Sequence, residues 1–416
     1  MRRLATKVRH MNKNKLTDLA ILGGQPEFAT MRHVGSPNLP DRSALLSAIQ
    51  EVLESNRLTN DGPRVREFES MVSEICGGVE IVAVSSGTSA LQLAIRAFDL
   101  SGEVIVPSLT FVATAQAVAW LGLEPVFADV DPETMTLDPV DVERKITDRT
   151  SAVIPVHLWG RICDVSAFDR LAEKYDIKII YDACHALGCT RDNVPVGSFG
   201  DAEAFSFHAT KFVNALEGGA IATTNHDVAM KLKAIRNFGM MAREDVEHVG
   251  TNAKMNEFSA AMGILSVADF DNLVDHNAGN YERYREILDG VPGIRILEIH
   301  AGDSSNYQYV VGLVDRDKTG ISRDELIGVL RYENVDARRY FYPGCHRLDC
   351  FGGGNRFISL PVTESILDQV IVLPTGRSMS NDCVTRLASL IRLILEHGRE
   401  INIDPALSNL AGATVA

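Results

Sequence analysis

Between about residues 80 and 225 the chain alternates two spacings of apolar positions. "EIVAV" (80–84) is a short run rich in β-branched residues. "SSGTSALQLAIRAF" (85–98) follows, with a glycine-marked turn and apolar residues at helical spacing. The pair recurs. "EVIVPS" leads into "TFVATAQAVAWLG", "EPVFADV" into "PVDVERKI", and "SAVIPVHL" into "DVSAFDRLAEKY". "IKIIYDA", "AEAFSF" and "GAIATT" close the series. Continuous apolar runs of strand length mark strands buried on both faces, and the amphipathic segments between them supply the covering helices. The pattern predicts an α/β domain with a mostly parallel sheet.

After about residue 270 the rhythm changes. The polar helical stretch "DNLVDHNAGNYERYREILDG" ends in Gly-Val-Pro-Gly, and "NYQYVVGLV", "SRDELIGVLRYENV" and the glycine-rich "CFGGGNRF" follow. A smaller C-terminal α+β domain is expected there. The division that results is an N-terminal tail or arm over 1–35, a large α/β domain over 36–268, a small domain over 269–405 and a flexible tail over 406–416. A length of 416 residues fits two domains.

Composition narrows the function. Hydrophobic residues make up 45% and charged residues 23%, as in ordinary soluble globular chains. A formal net charge of −14 argues against general nucleic-acid or membrane-surface binding, so an anionic ligand needs a local basic patch. The 7 cysteines include no C-x-x-C pair, which points to a reducing, cytoplasmic setting without a disulfide framework or zinc ribbon. The basic start "MRRLATKVRHMNKNK" has no apolar core behind it, so it reads as a tail and not as a secretory signal. No apolar run approaches the roughly 18 residues of a membrane span.

Four local features carry candidate chemistry. In "SFHATKFVNALEGGA" (206–220) a single lysine, Lys211, stands among apolar and small residues, five positions after Ser206 and shortly before a Gly-Gly pair. A buried ammonium loses hydration, so Lys211 either snorkels to water or uses its amine for chemistry. "SSGTSAL" places Gly87 and Thr88 at a strand-to-helix turn, where free N–H groups and the helix dipole favour a phosphate. An ordinary serine cap explains the same residues. "IIYDACHALG" puts Asp182 at the carboxyl end of an apolar strand, where α/β sheets bind ligands, with His185 three residues on. A helix cap and a core histidine are the structural alternatives. Phe111, after a strand in "PSLTFVATAQAV", is a ring that either stacks on a flat ligand or joins the core. No P-loop and no post-strand G-x-G-x-x-G is present, and no second histidine-rich element has metal-ligand spacing. Taken together, a phosphate cradle, an aromatic plate, an acid for a ring nitrogen and a lysine are what pyridoxal 5'-phosphate requires.

These motifs resemble the sugar aminotransferases of the DegT/DnrJ/EryC1/StrS family, within the fold-type I pyridoxal-phosphate enzymes. "LTNDGPRVREFE", "SSGTSAL", "PSLTFVATAQAV", "DACHALG", "SFHATK…EGGAI", "GTNAKMNEFSAAMG" and "YFYPGCH" occur in the family's order, and the likeness spans most of the chain. The resemblance implies that Lys211 is the Schiff-base lysine and proton shuttle, and that Asp182 pairs with the pyridine nitrogen. It places His185 beside the ring and its phenolic oxygen, where many relatives carry glutamine, and Phe111 on the ring face. Gly87, Thr88 and Ser206 would hold the phosphate. Asn252 would reach the cofactor phosphate of a neighbouring subunit, which makes a homodimer part of the active site. Arg236, Lys254, Tyr342 and His346, with Arg338 and Arg339 nearby, are the candidates for a nucleotide-sugar substrate. Many members have arginine in place of Lys254, and lysine lacks its planar fork. The expected reaction moves an amino group from glutamate to a keto-sugar nucleotide, by resemblance to C4 of dTDP-4-keto-6-deoxyglucose. Amination at C3 of a 3-keto sugar, a different pyridoxal-phosphate reaction and a non-catalytic regulatory role are the alternatives.

Overall fold

The computed structural model describes residues 13–351 and 358–401. The start at 1–12, most of the glycine-rich "CFGGGNRF" and the tail at 406–416 lie outside the described residues.

Seven strands form the main sheet: β1 (Glu80–Val84), β2 (Glu103–Pro107), β3 (Glu124–Ala128), β4 (Thr150–Val153), β5 (Lys178–Asp182), β6 (Ala202–Ser206) and β7 (Gly219–Thr223). Their order is β1-β7-β6-β5-β4-β2-β3, parallel except for β7, which runs against both β1 and β6. Alternation along each strand feeds two cores. Val82 and Val84 join one with α3 (Gly87–Ala97) and α4 (Ala113–Trp120). Ile81 and Ala83 join the other with Val65, Phe68 and Val72 of α2 (Pro63–Ile75). Burial on both faces explains why the strands read as unbroken apolar runs.

A second, antiparallel sheet contains β8 (Ile294–Ile296), β9 (Val310–Val314) and β10 (Val370–Leu373). Its core draws on Tyr284, Leu326, Leu330, Ile371, Leu387 and Ile391, from these strands and the helices that cover them. Leu19 and Phe28 belong to the same core. The short strand Arg32–His33 pairs in parallel with Val335–Asp336. Residues 13–33, expected within an N-terminal tail or arm, are therefore built into this second unit. The cause is a buried acceptor. The fully buried Glu333 carboxylate accepts from Lys13 Nζ (2.6 Å) and from the N–H groups of Ala20 (2.7 Å) and Glu27 (2.7 Å).

The two units are tied together by polar contacts. The guanidinium of Arg191 donates twice to Asp303, at 2.8 Å each. The Asp129 carboxylate accepts from the N–H groups of Val362 (3.1 Å) and Thr363 (2.8 Å). No described helix is long and apolar enough to cross a membrane. All seven cysteines are free thiols.

Candidate active site

The six parallel strands of the main sheet end on one edge, and the loops that follow them carry the residues singled out above. After β1 comes the turn into α3. Ser86 caps this helix: its Oγ accepts the N–H of Ser89 (3.1 Å), and Ser89 Oγ accepts the N–H of Ser86 (3.0 Å). The cap thus uses the third N–H of the helix and leaves those of Gly87 and Thr88 without a helical acceptor. Gly87 is needed here for space. A Cβ on it would stand 2.7 Å from Ser206 Cβ and 3.2 Å from Cys184 Sγ. The end of β6 therefore lies directly against the start of α3, and Ser206, Gly87 and Thr88 share one cradle suited to an anion.

Asp182 ends β5, is 5% exposed, and has its carboxylate fixed on both oxygens. Oδ2 accepts the hydroxyl of Thr114 (2.7 Å) and Oδ1 accepts the N–H of Cys184 (3.1 Å). Thr114 in turn bonds to Thr110 one helical turn earlier (2.9 Å). Both threonines were overlooked in the sequence, although their i, i+4 spacing around Phe111 was legible.

Lys211 lies in the loop between β6 and β7. That loop is pinned by Phe207 N–H to Gly218 O and Ala215 N–H to Phe207 O, each 2.8 Å, and by Phe212 and Val213 in the core. Among the described residues its Nζ makes no hydrogen bond or ion pair. Burial lowers its pKa, while Cys184 and Asp182 act in the opposite direction. The net shift is downward, toward the neutral amine.

His185 is held from three sides. Its Nδ1 accepts the N–H of Trp159 (3.2 Å), so its proton is on Nε2. Tyr309 meets the ring edge-on at 4.8 Å, and Phe341 lies nearly parallel to it at 6.0 Å. Trp159 reaches this position with φ 56° and ψ 25°, a left-handed conformation that costs a bulky residue on the order of 1–3 kcal/mol. Burial, and then the nearby Lys211, push the pKa of His185 well below its ordinary value. Phe111 is 54% exposed, 6.0 Å from the Phe341 ring, and so presents a free face beside the site.

Three candidate substrate residues have partners within the chain. Arg236 is buried and committed: its guanidinium donates to Glu69 (2.7 Å), the carbonyl of Ala83 (2.7 Å) and Asp61 (2.9 Å). His346 is fully buried, with Nδ1 on Ser108 Oγ (2.5 Å) and Nε2 on Glu364 (3.2 Å), and it fixes the end of β2 from behind. Tyr342 sits on the guanidinium groups of Arg339 (4.3 Å) and Arg323 (5.5 Å); its neighbour Phe341 is the ring that faces His185. Arg339 pairs with Asp324 and Arg338 with Asp336. Lys254 donates to Asn237 (2.9 Å) and to Asn252 (2.7 Å), and Asn252 itself is exposed.

The residues present fit pyridoxal phosphate. The cradle is closed to any side chain larger than that of Gly87, a fixed carboxylate ends the central strand, and a lysine amine without a partner is carried on the next strand's loop. The class they define is the fold-type I pyridoxal-phosphate aminotransferases. The chain belongs to the DegT/DnrJ/EryC1/StrS aminotransferase family, which matches residues 41–392. It is 35% identical over 361 residues to the dTDP-4-amino-4,6-dideoxy-D-glucose transaminase of Shigella dysenteriae, covering 87% of this chain and 98% of that one. It is 32% identical over 370 residues to a UDP-N-acetyl-3-dehydro-alpha-D-glucosamine 3-aminotransferase of Acidithiobacillus ferrooxidans, covering 86% and 95%. The crystal structure of DesI in the presence of its TDP-sugar product superposes with a TM-score of 0.88 at 45% identity, covering 92% of this chain and 98% of that one. The chain is a pyridoxal-phosphate-dependent nucleotide-sugar aminotransferase.

The lowered pKa of His185 has a consequence for stability. Below its ordinary value of 6.5 the unfolded chain takes up a proton that the folded site refuses, so stability falls as the pH drops through that value. His185→Gln keeps an acceptor for the Trp159 N–H and removes the titration. Urea unfolding between about pH 7.5 and 5.5 should show the variant losing less stability than wild type, by on the order of 1 kcal/mol per pH unit at the acid end.

Proposed function

We propose that this chain transfers the amino group of glutamate to C4 of dTDP-4-keto-6-deoxyglucose, giving 2-oxoglutarate and the 4-amino sugar nucleotide. The observation that carries the chemistry is the unpaired amine of Lys211, on the loop that follows the strand beside Asp182. The choice of C4 and of a thymidine nucleotide rests on the likeness to the Shigella transaminase and to DesI. A second reading, amination at C3, is favoured by the comparable likeness to the Acidithiobacillus 3-aminotransferase.

Bound pyridoxal phosphate supplies a ring that accepts the electron pair left when a C–H bond at the nitrogen-bearing carbon breaks. The residues of the chain do the rest. Lys211 anchors the cofactor at rest. Its free amine would then take the proton from the donor's α-carbon and release it on the cofactor side of the same nitrogen, a role that needs the neutral amine. Asp182 holds a proton on the ring nitrogen, and Thr114 keeps that carboxylate aimed. His185 offers Nε2–H to the phenolic oxygen. Phe111 covers one face of the ring. The N–H groups of Gly87 and Thr88 and the hydroxyl of Ser206 hold the phosphate. Lys254 is the remaining substrate candidate.

The active form is read as a homodimer working in the cytoplasm. Its support is an apolar surface: Leu46 and Leu53, one heptad apart on the helix Arg42–Ser55, are more than half exposed, as are Val246 and Val249. The latter pair lies shortly before Asn252, which bridges to Asn237 at the base of the hairpin formed by Met240–Ala242 and Asp245–Val246. Such residues suit an isologous interface.

Two measurements test these readings. Purified enzyme with glutamate and dTDP-4-keto-6-deoxyglucose should form 2-oxoglutarate and the 4-amino sugar in equal amounts; a 3-keto isomer turned over faster would favour the second reading. For the dimer, Lys211→Ala and Asn252→Ala variants, each inactive alone, should regain activity after subunit exchange. About a quarter of the wild-type rate is expected, because half the dimers are hybrids with one intact site. No recovery would place Asn252 in its own chain's site.

A further inference from the structure

Residues 305–309 lead into β9 of the second unit, yet their side chains reach both arms of the cofactor site. Asn306 is 1% exposed. Its Nδ2 donates to the carbonyls of His185 (3.2 Å) and Leu187 (3.0 Å), and its Oδ1 accepts the N–H of Gln308 (3.0 Å). The Nε2 of Gln308 donates to the carbonyl of Thr210 (3.3 Å), the residue before Lys211, and to the Tyr309 hydroxyl (3.3 Å). The Tyr309 ring closes on His185. Among the described residues no other donor reaches these three carbonyls.

The backbone between the two amides is unusual. Tyr307 has φ 52°, a left-handed conformation seldom adopted by a bulky residue, and Ser305 Oγ accepts its N–H at 3.0 Å. With Trp159, this gives two left-handed aromatic residues on elements that flank His185. Local strain of this kind persists where the surroundings over-determine a geometry. Among the described residues nothing hydrogen-bonds the amine of Lys211, so its placement is inherited from the backbone beside it. Gln308 is what holds that backbone from the second unit's side.

We propose that Asn306 and Gln308 are positioning residues for the transamination: an amide clamp through which the second unit sets the orientation of His185 and Lys211 together. Neither touches the reacting atoms. Asn306 fixes the turn that carries His185, and Gln308 fixes the carbonyl that precedes Lys211. The hydrogen bond from the Gln308 N–H to Asn306 Oδ1 makes the two arms one element. The inference rests on Lys211 as the cofactor-bearing lysine.

Two variants of Gln308, a partly exposed residue, test the clamp without emptying the core. Gln308→Glu keeps the shape but turns an acceptor toward the Thr210 carbonyl. Gln308→Met fills the same space with no donor. With glutamate as donor, both should lower kcat by about tenfold or more, the scale expected from a misplaced catalytic group, while KM for glutamate changes less than about threefold. The visible circular dichroism of bound pyridoxal phosphate should fall in both, because it reports how asymmetrically the site holds the ring. Values of kcat and dichroism within about twofold of wild type in both variants overturn the proposal. A wild-type protein with no visible cofactor band would instead remove the lysine assignment, and the clamp with it.

Discussion

Lys211 carries its amine on a loop between two buried strands, and among the described residues no carboxylate forms an ion pair with it. Burial there works against the ammonium, and Cys184 and Asp182 offset it only in part. The same setting makes a neutral amine available for bond formation and proton transfer. Much of the surrounding architecture maintains this condition. Phe212 and Val213, the two residues after the lysine, are buried in the core, and the Asp182 carboxylate has its oxygens taken up by Thr114 and the N–H of Cys184.

The sheet order explains why these groups meet. β5, β6 and β7 are neighbours, so the end of β5, the loop between β6 and β7 and the start of β7 share one edge. β1 lies beside β7 and brings the turn into α3 to the same place. A Cβ on Gly219 would stand 2.4 Å from the carbonyl group of Ser86, so the return strand passes directly under the turn into α3. The second unit closes the open side with aromatic rings from Tyr309 and Phe341 and with the amides of Asn306 and Gln308. Its own stability depends partly on the N-terminal stretch, whose backbone is satisfied by Glu333.

What could be read from the sequence follows a physical division. The strands of the main sheet declared themselves because burial on both faces leaves a continuous apolar run. The shared sheet edge of Gly87, Asp182 and Lys211 was legible because each lies within a few residues of a strand end, where position along the chain nearly fixes position in space. The substrate candidates in "DARRYFYPGCHR" were not, because an irregular loop has no period to say which side chain turns inward: His346 went into the core and Phe341, not Tyr342, toward His185. The burial of Arg236 was hidden for another reason. Its partners Asp61 and Glu69 lie more than 160 positions earlier in the chain, and long-range pairing of this kind leaves no local mark. Leu19, Phe28 and Glu333 likewise come together only in the fold, so a stretch that looked like an arm became part of a core.

The central claim is that Lys211, and no other lysine, holds the cofactor at rest. Borohydride reduction of the resting enzyme followed by peptide mass mapping tests it directly. The account predicts the reduced cofactor on the peptide containing Lys211 and nowhere else. Attachment to a different lysine, or cofactor that binds with no covalent link to the chain, would contradict it.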